Sequence, residues 1–255
     1  PSFVCNFWHI ILAYVVQGLV LPAGCKMVNV APQFALSLLP LDGMGFMEVV
    51  GKGTIDVMAD IFRRTGPCYS ISPRDIRNSL PPILELPAPV ISFSPRLIIC
   101  YFLVKHDAAR LEPLLSHYSI SGVEFHCFSA TPLEKPKNRL LALHSHQKQR
   151  KLFQELFARC TGVIVSTGNE TIWEAVSRGV PVLTMPTPGQ AEQMMNARIH
   201  SANFPNLVKA VDKISIDDVR WLAEFEPSPE AVAESKRLRA RVESFDGPGM
   251  DMLFG

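Results

Sequence analysis

The sequence predicts an α/β chain with a doubly wound parallel sheet, and three observations predict it. Residues Gly162 to Asn196 read strand, turn, helix, strand, turn, helix. The same rhythm of short apolar runs and amphipathic stretches extends back to Arg96. Before it, Arg63 to Pro95 is rich in proline and serine, with Pro81, Pro82, Pro87, Pro89 and Pro95 excluding regular helix over most of it. The expected division is therefore a partial N-terminal domain with a Pro-rich linker over residues 1–95 and a ligand-binding domain over residues 96–255.

Residues Phe3 to Leu21 are mostly apolar and about as long as a bilayer span. Asn6, His9 and Gln17 interrupt them and no basic flank precedes them, so three readings stay open: a buried strand and helix, a membrane anchor, or a signal peptide. Pro22 to Leu41 shows no clear period. Asp42 to Gly53 carries two G-x-G pairs, read as a plain loop because no register of strand and helix surrounds them, and Ile55 to Phe62 gives a weak helix signal.

From Arg96, Leu97–Leu103 is a predicted strand and Ala108–His117 a helix. Val123–Phe128 is a second strand and Leu140–Leu143 a short third. Gln147–Cys160 is an amphipathic helix with Leu152, Phe153, Leu156 and Phe157 on its buried side. Val163, Ile164 and Val165 form a buried parallel strand. Ser166–Asn169 is a polar turn, and the helix after it stops at Gly179. Val180 to Met185 is the next strand, and Thr187–Gln193 the second polar turn. Leu207–Val211 is a sixth strand. Ile216–Phe225 is a helix capped by Ser215 with Asp218, and Ser228–Pro229 opens a last helix whose Lys236, Arg237, Arg239 and Arg241 make a basic surface.

Composition narrows the function. A net charge of +1 argues against nucleic acid, and 47% hydrophobic residues suffice for a core. Six scattered cysteines without a C-x-x-C pair suit reduced thiols in a cytosolic setting. Seven histidines lack metal-ligand spacing on a predicted helix, so no metal is expected.

In a doubly wound sheet both polar turns fall at the carboxyl edge, where ligands bind. The first opens a helix, whose free N–H groups and dipole suit a phosphate at Ser166, Thr167, Gly168 and Asn169. Glu174, one turn in, suits two ribose hydroxyls. Gln190, Glu192, Gln193 and Asn196 suit sugar hydroxyls, with Gln193 and Asn196 on one helical face. Glu170 complements the helix dipole.

The stretch STGNETIWEAVSRGVPVLTMPTPGQAEQMMNA resembles the donor-binding half of GT-B glycosyltransferases, in the branch that includes the lipid-linked N-acetylglucosaminyltransferase of peptidoglycan synthesis. The resemblance covers roughly Arg96 to Phe225. It implies diphosphate contacts at Ser166, Thr167 and Gly168, ribose at Glu174, and sugar at Glu192, Gln193 and Asn196. Base recognition would fall at His144 or His146. The turn Lys105–His106–Asp107 has two open readings, a face towards the diphosphate and a solvated loop. The resemblance further implies a UDP-sugar as donor substrate and no cofactor. The acceptor would be lipid-linked or a glycan, met by the N-terminal part. The location would be cytoplasmic, with membrane association or a membrane partner chain as an extension. The catalytic base has no visible candidate. Because the chain begins with Pro1, it is expected to be a fragment or to lack its start. The alternatives are a non-catalytic donor-binding subunit of a split glycosyltransferase and a nucleotide-sugar epimerase.

Overall fold

Parallel pairing dominates the computed structural model, which describes residues 2–8, 10–17, 25–86, 88–90, 92, 96–102, 111, 114, 122–130 and 142–245. By its internal contacts the chain divides into Pro1–Ile83 with Leu238–Gly255, and Leu84–Arg237. The division falls at 83/84 where the sequence suggests 95/96, and the last turns of the final helix join the first unit.

In the first unit, β1 (Ser2–Asn6), β2 (Cys25–Ala31), β3 (Cys68–Ile71) and β4 (Ser79–Leu80) form a parallel sheet in that order. Helices α1 (Ile10–Gln17), α2 (Gln33–Leu36) and α3 (Phe46–Arg63) intervene. Trp8, Phe34 and Phe62 pack ring against ring, with centroids 4.8–5.7 Å apart, at one core. The Phe3–Leu21 run thus holds a strand and, up to Gln17, an eight-residue helix. Among the described residues no helix is long and apolar enough to cross a membrane.

One expectation is corrected here. Gly51 and Gly53 lie inside α3, not in a loop, and Glu48 Oε2 accepts from the Gly45 N–H at 2.8 Å to secure the helix start. Arg63–Pro95 contains β3 and β4, whose lengths of four and two residues are too short to show a period.

The second unit holds β5 (Arg96–Tyr101), β6 (Val123–Ser129), β7 (Ala142–Gln147), β8 (Gly162–Val165), β9 (Val182–Thr184) and β10 (Val208–Ala210). All neighbours are parallel, in the order β10-β9-β8-β5-β6-β7. Counted from β5 this is the 3-2-1-4-5-6 order of a doubly wound sheet, with its switch point between β5 and β8. One face buries Ile98, Cys100, Phe102, Phe125, Cys127, Ile164, Leu183 and Met185 beneath α7 (Ile216–Ala223). The other carries Tyr101 and Phe128 against Phe153 of α4 (Arg150–Phe157).

Helices α5 (Glu170–Ser177), α6 (Ala191–Asn203) and α8 (Pro229–Glu243) complete the set. Gly179 ends α5 at φ +75°, a backbone state that glycine adopts without Cβ strain. Ser215 and Asp218 cap α7 reciprocally, at 3.2 and 2.8 Å, and Ser228 Oγ accepts from the Ala231 N–H at 3.1 Å to open α8. Of the basic residues on α8, Arg237 donates to the Asn203 carbonyl, Arg241 donates to Ser79, and Arg239 faces Glu243. The expected helix Ala108–His117 lies largely, and Lys105–His106–Asp107 wholly, outside the described residues. The third strand is placed later than expected, at Ala142–Gln147.

Candidate functional site

The Ser166–Asn169 turn leaves β8 at the switch point. The Ser166 N–H approaches the Tyr101 carbonyl at the end of β5, at 3.4 Å, so the turn spans the two strands where the sheet changes direction. The Gly168 N–H folds back on the Ser166 carbonyl at 2.7 Å. Thr167, almost wholly buried, shares a 2.8 Å hydroxyl contact with Thr184 at the end of β9, and Thr184 in turn donates to the Val165 carbonyl. These bonds fix the turn against both neighbouring strands.

Gly168 is exposed, has an ordinary φ, and a Cβ built on it would meet nothing within 4 Å. The backbone is therefore bare at the start of α5. The Asn169 side chain is turned inward, with Oδ1 3.0 Å from Nε2 of the fully buried His200 on α6. Asn169 thus offers the site its backbone, while its side chain anchors the turn. Burial pulls His200 down to about 4, with a Gly168 backbone contact opposing, so the ring is neutral near pH 7. Nothing in the sequence around His200 announces this role; the tertiary fold alone pairs it with Asn169.

Glu174 lies one turn into α5 and is half-buried. Burial, then the Glu170 and Glu85 carboxylates, raise it above the usual carboxylate range, while Arg178 opposes. Glu170 is exposed in the first turn. The other end of α5 is held by Arg178, only 1% exposed, whose guanidinium donates to the carbonyls of Phe157 and Ala158 at the carboxyl end of α4.

The second turn follows β9 on the same edge, since Val165 and Thr184 are register partners. It bends at Gly189 (φ +81°), and Gln190 donates its N–H to the Thr187 carbonyl at 3.0 Å. Gln190 is exposed, Glu192 and Gln193 are partly buried, and Asn196 is 5% exposed. Gln193 Oε1 accepts from the Thr187 N–H at 2.8 Å, so the Gln193 side chain shapes the turn and leaves its amide N–H groups for a ligand.

His144 and His146 fall elsewhere. Both lie within β7, the edge strand farthest from β8 on this side of the sheet, and β7 leads into α4. His146 Nε2 is 2.9 Å from His126 Nδ1, and its ring stacks on Phe128. His144 Nε2 is 3.1 Å from Glu124 Oε1, and His126 Nε2 is 3.0 Å from the same oxygen. The two rings face partners on β6, not the turns that carry the rest of the site. The hydrogen bond from His126 holds Glu124 below the usual carboxylate range, and burial lowers both His126 and His146. The helical spacing sought in the sequence misses this group, because Glu124-x-His126 and His144-x-His146 follow the two-residue period of strands.

No known protein family profile matches the chain, and no curated protein matches it by sequence. Solved structures do. The spinosyn rhamnosyltransferase SpnG aligns over 100% of this chain and 73% of its own at 15% identity, with a TM-score of 0.59. The spinosyn forosaminyltransferase SpnP aligns over 97% of this chain and 73% of its own at 16% identity, with a TM-score of 0.57. The glycosyltransferase SnogD from Streptomyces nogalater aligns over 96% and 71% at 16% identity, with a TM-score of 0.53. SpnG has also been solved complexed with thymidine diphosphate. The likeness spans both units, and with two parallel sheets and their flanking helices it gives this chain the fold of the GT-B glycosyltransferases.

Proposed function

We propose that the chain binds a nucleoside diphosphate sugar, with UDP as the expected carrier, and transfers the hexose to an acceptor hydroxyl. The observation that carries this reading is the bare Gly168 turn at the β5/β8 switch point, opening directly into α5. The backbone N–H groups there and the helix dipole favour the diphosphate. Glu174 accepts from the ribose hydroxyls, and Gln190, Glu192, Gln193 and Asn196 meet the sugar. The GT-B neighbours, one of them complexed with thymidine diphosphate, support a nucleotide ligand. The acceptor, a lipid-linked or glycan hydroxyl, belongs to the first unit.

Glycosyl transfer passes through an oxocarbenium-like state in which charge builds on the leaving diphosphate. Fixed N–H donors at the turn stabilise that charge as it develops, without reorganising. This arrangement needs no divalent cation for donor binding. Calorimetry with UDP, thymidine diphosphate and UMP, in excess EDTA, tests it. Saturable binding of a diphosphate, at least tenfold tighter than UMP, is expected. No heat with either diphosphate at millimolar concentration, in protein shown to be folded, would overturn it.

A further inference from the structure

We propose that Glu124, His126 and His144 form a binding site for a first-row transition-metal dication, with Zn2+ the best fit, that clips the edge strand β7 to β6. The three ligand atoms lie within 4.8 Å of one another. Both imidazole Nε2 atoms converge on one point, the Glu124 Oε1 that each now touches at 3.0 and 3.1 Å. Tetrahedral zinc with bonds near 2.0–2.1 Å needs ligand separations of about 3.3 Å, so the two nitrogen–oxygen separations are within a few tenths of an ångström of what the ion requires.

The backbone presets this arrangement. His126 and His144 are register partners on adjacent parallel strands, and Glu124 lies two residues before His126 on the same face. Their rings already stack, 4.6 Å between centroids. His146 supplies the outer support: with the His126 proton on Nδ1, that N–H donates to His146 Nε2 at 2.9 Å, which directs the Nε2 lone pair to the ion. Two imidazoles and a carboxylate select zinc, cobalt, nickel or copper over magnesium or calcium. Glu124 and His144 keep 46% and 49% of their side-chain surface, so water can reach the remaining coordination position.

The cluster is separate from the nucleotide edge. Glu124 stands level with Leu97, near the start of β5, whereas the Ser166 turn follows Tyr101 at its end. At about 3.3 Å per residue Glu124 lies roughly 13 Å, and His126 and His144, level with Ile99, roughly 7 Å before that end along the strands, and β5 stands between β6 and β8. The site therefore acts on structure: an edge strand has open hydrogen-bonding groups and few contacts, and a metal bridge would restrain it.

The test uses the full chain stripped of metal with EDTA and then freed of chelator. Cobalt(II) chloride is titrated in and its visible d–d absorption recorded, followed by displacement with zinc chloride. One equivalent of cobalt, a four- or five-coordinate spectrum, and loss of that spectrum on zinc addition are expected. His144→Ala and Glu124→Gln, both at half-exposed positions and compatible with folding, should each weaken binding at least tenfold. His146→Phe should weaken it about ten- to a hundredfold through the lost outer hydrogen bond. Absence of saturable binding in folded protein, or binding unchanged in both His144→Ala and Glu124→Gln, would overturn the proposal. Because the assay contains no nucleotide, its outcome is independent of the glycosyltransferase reading.

Discussion

Glu174 and His200 stand at the proposed donor edge in opposite ways, one half-buried beside the turn and one buried behind it. If the Glu174 carboxylate accepts from both ribose hydroxyls, Glu174→Gln should keep the fold and weaken UDP binding about ten- to a hundredfold, since hydrogen bonds to a charged group are worth roughly 1.5–3 kcal/mol. A 2′,3′-dideoxy analogue lacks the partners, so the substitution should cost it far less; equal losses would assign Glu174 a general electrostatic role. His200 acts through the Asn169 side chain. Its folded pKa of about 4 lies below the unfolded value, so the unfolded chain takes up the proton first. The stability His200 contributes is whole above about pH 6.5 and is lost as the pH falls towards 4. Denaturant unfolding at pH 7 and pH 5 should show the wild type losing about 2 kcal/mol more than His200→Gln over that interval. Identical losses would mean that the ring titrates normally in the folded chain.

Among the elements, β8, α5 and β9 were the most legible. A β-branched run, a polar turn, an apolar helical face and a closing glycine all point the same way there, and the structure places each as read. The caps at Ser215 and Ser228 were equally readable, because capping depends on residues only three apart. The first unit was not. Its strands β3 and β4 are too short for alternation to register, and α3 tolerates Gly51 and Gly53 because tertiary packing overrides their low helix propensity. The third strand was read too early, at Leu140–Leu143, where the structure has Ala142–Gln147 with both histidines inside it. Arg178 had no sequence signal at all: it sits beyond α5 yet serves α4, satisfying carbonyls at that helix's carboxyl end from 20 residues away. Arg178→Met should keep the apolar packing against Phe157 but remove the donors to both carbonyls, leaving Phe157 only the Cys160 N–H, at a cost of about 2–4 kcal/mol of stability. A loss below 0.5 kcal/mol in chemical denaturation would show that α4 ends without this cap.

For the whole molecule, two parallel sheets in one chain set the division of labour that the GT-B fold implies. The second unit carries every residue proposed for the donor. Proximity and orientation of the acceptor hydroxyl can supply several kcal/mol of the barrier, so if the first unit presents the acceptor, transfer would need both units and donor binding only one. Donor binding at the Gly168 turn is therefore the claim on which the rest stands, and its location can be read directly. Amide chemical shifts of isotopically labelled protein, followed during titration with UDP in EDTA, should move most at Ser166–Glu170 and around Glu174 and Gln190–Asn196, and little on β1–β4. Absence of shifts at Ser166–Glu170 under saturating UDP, or a response centred on another surface, would contradict the account.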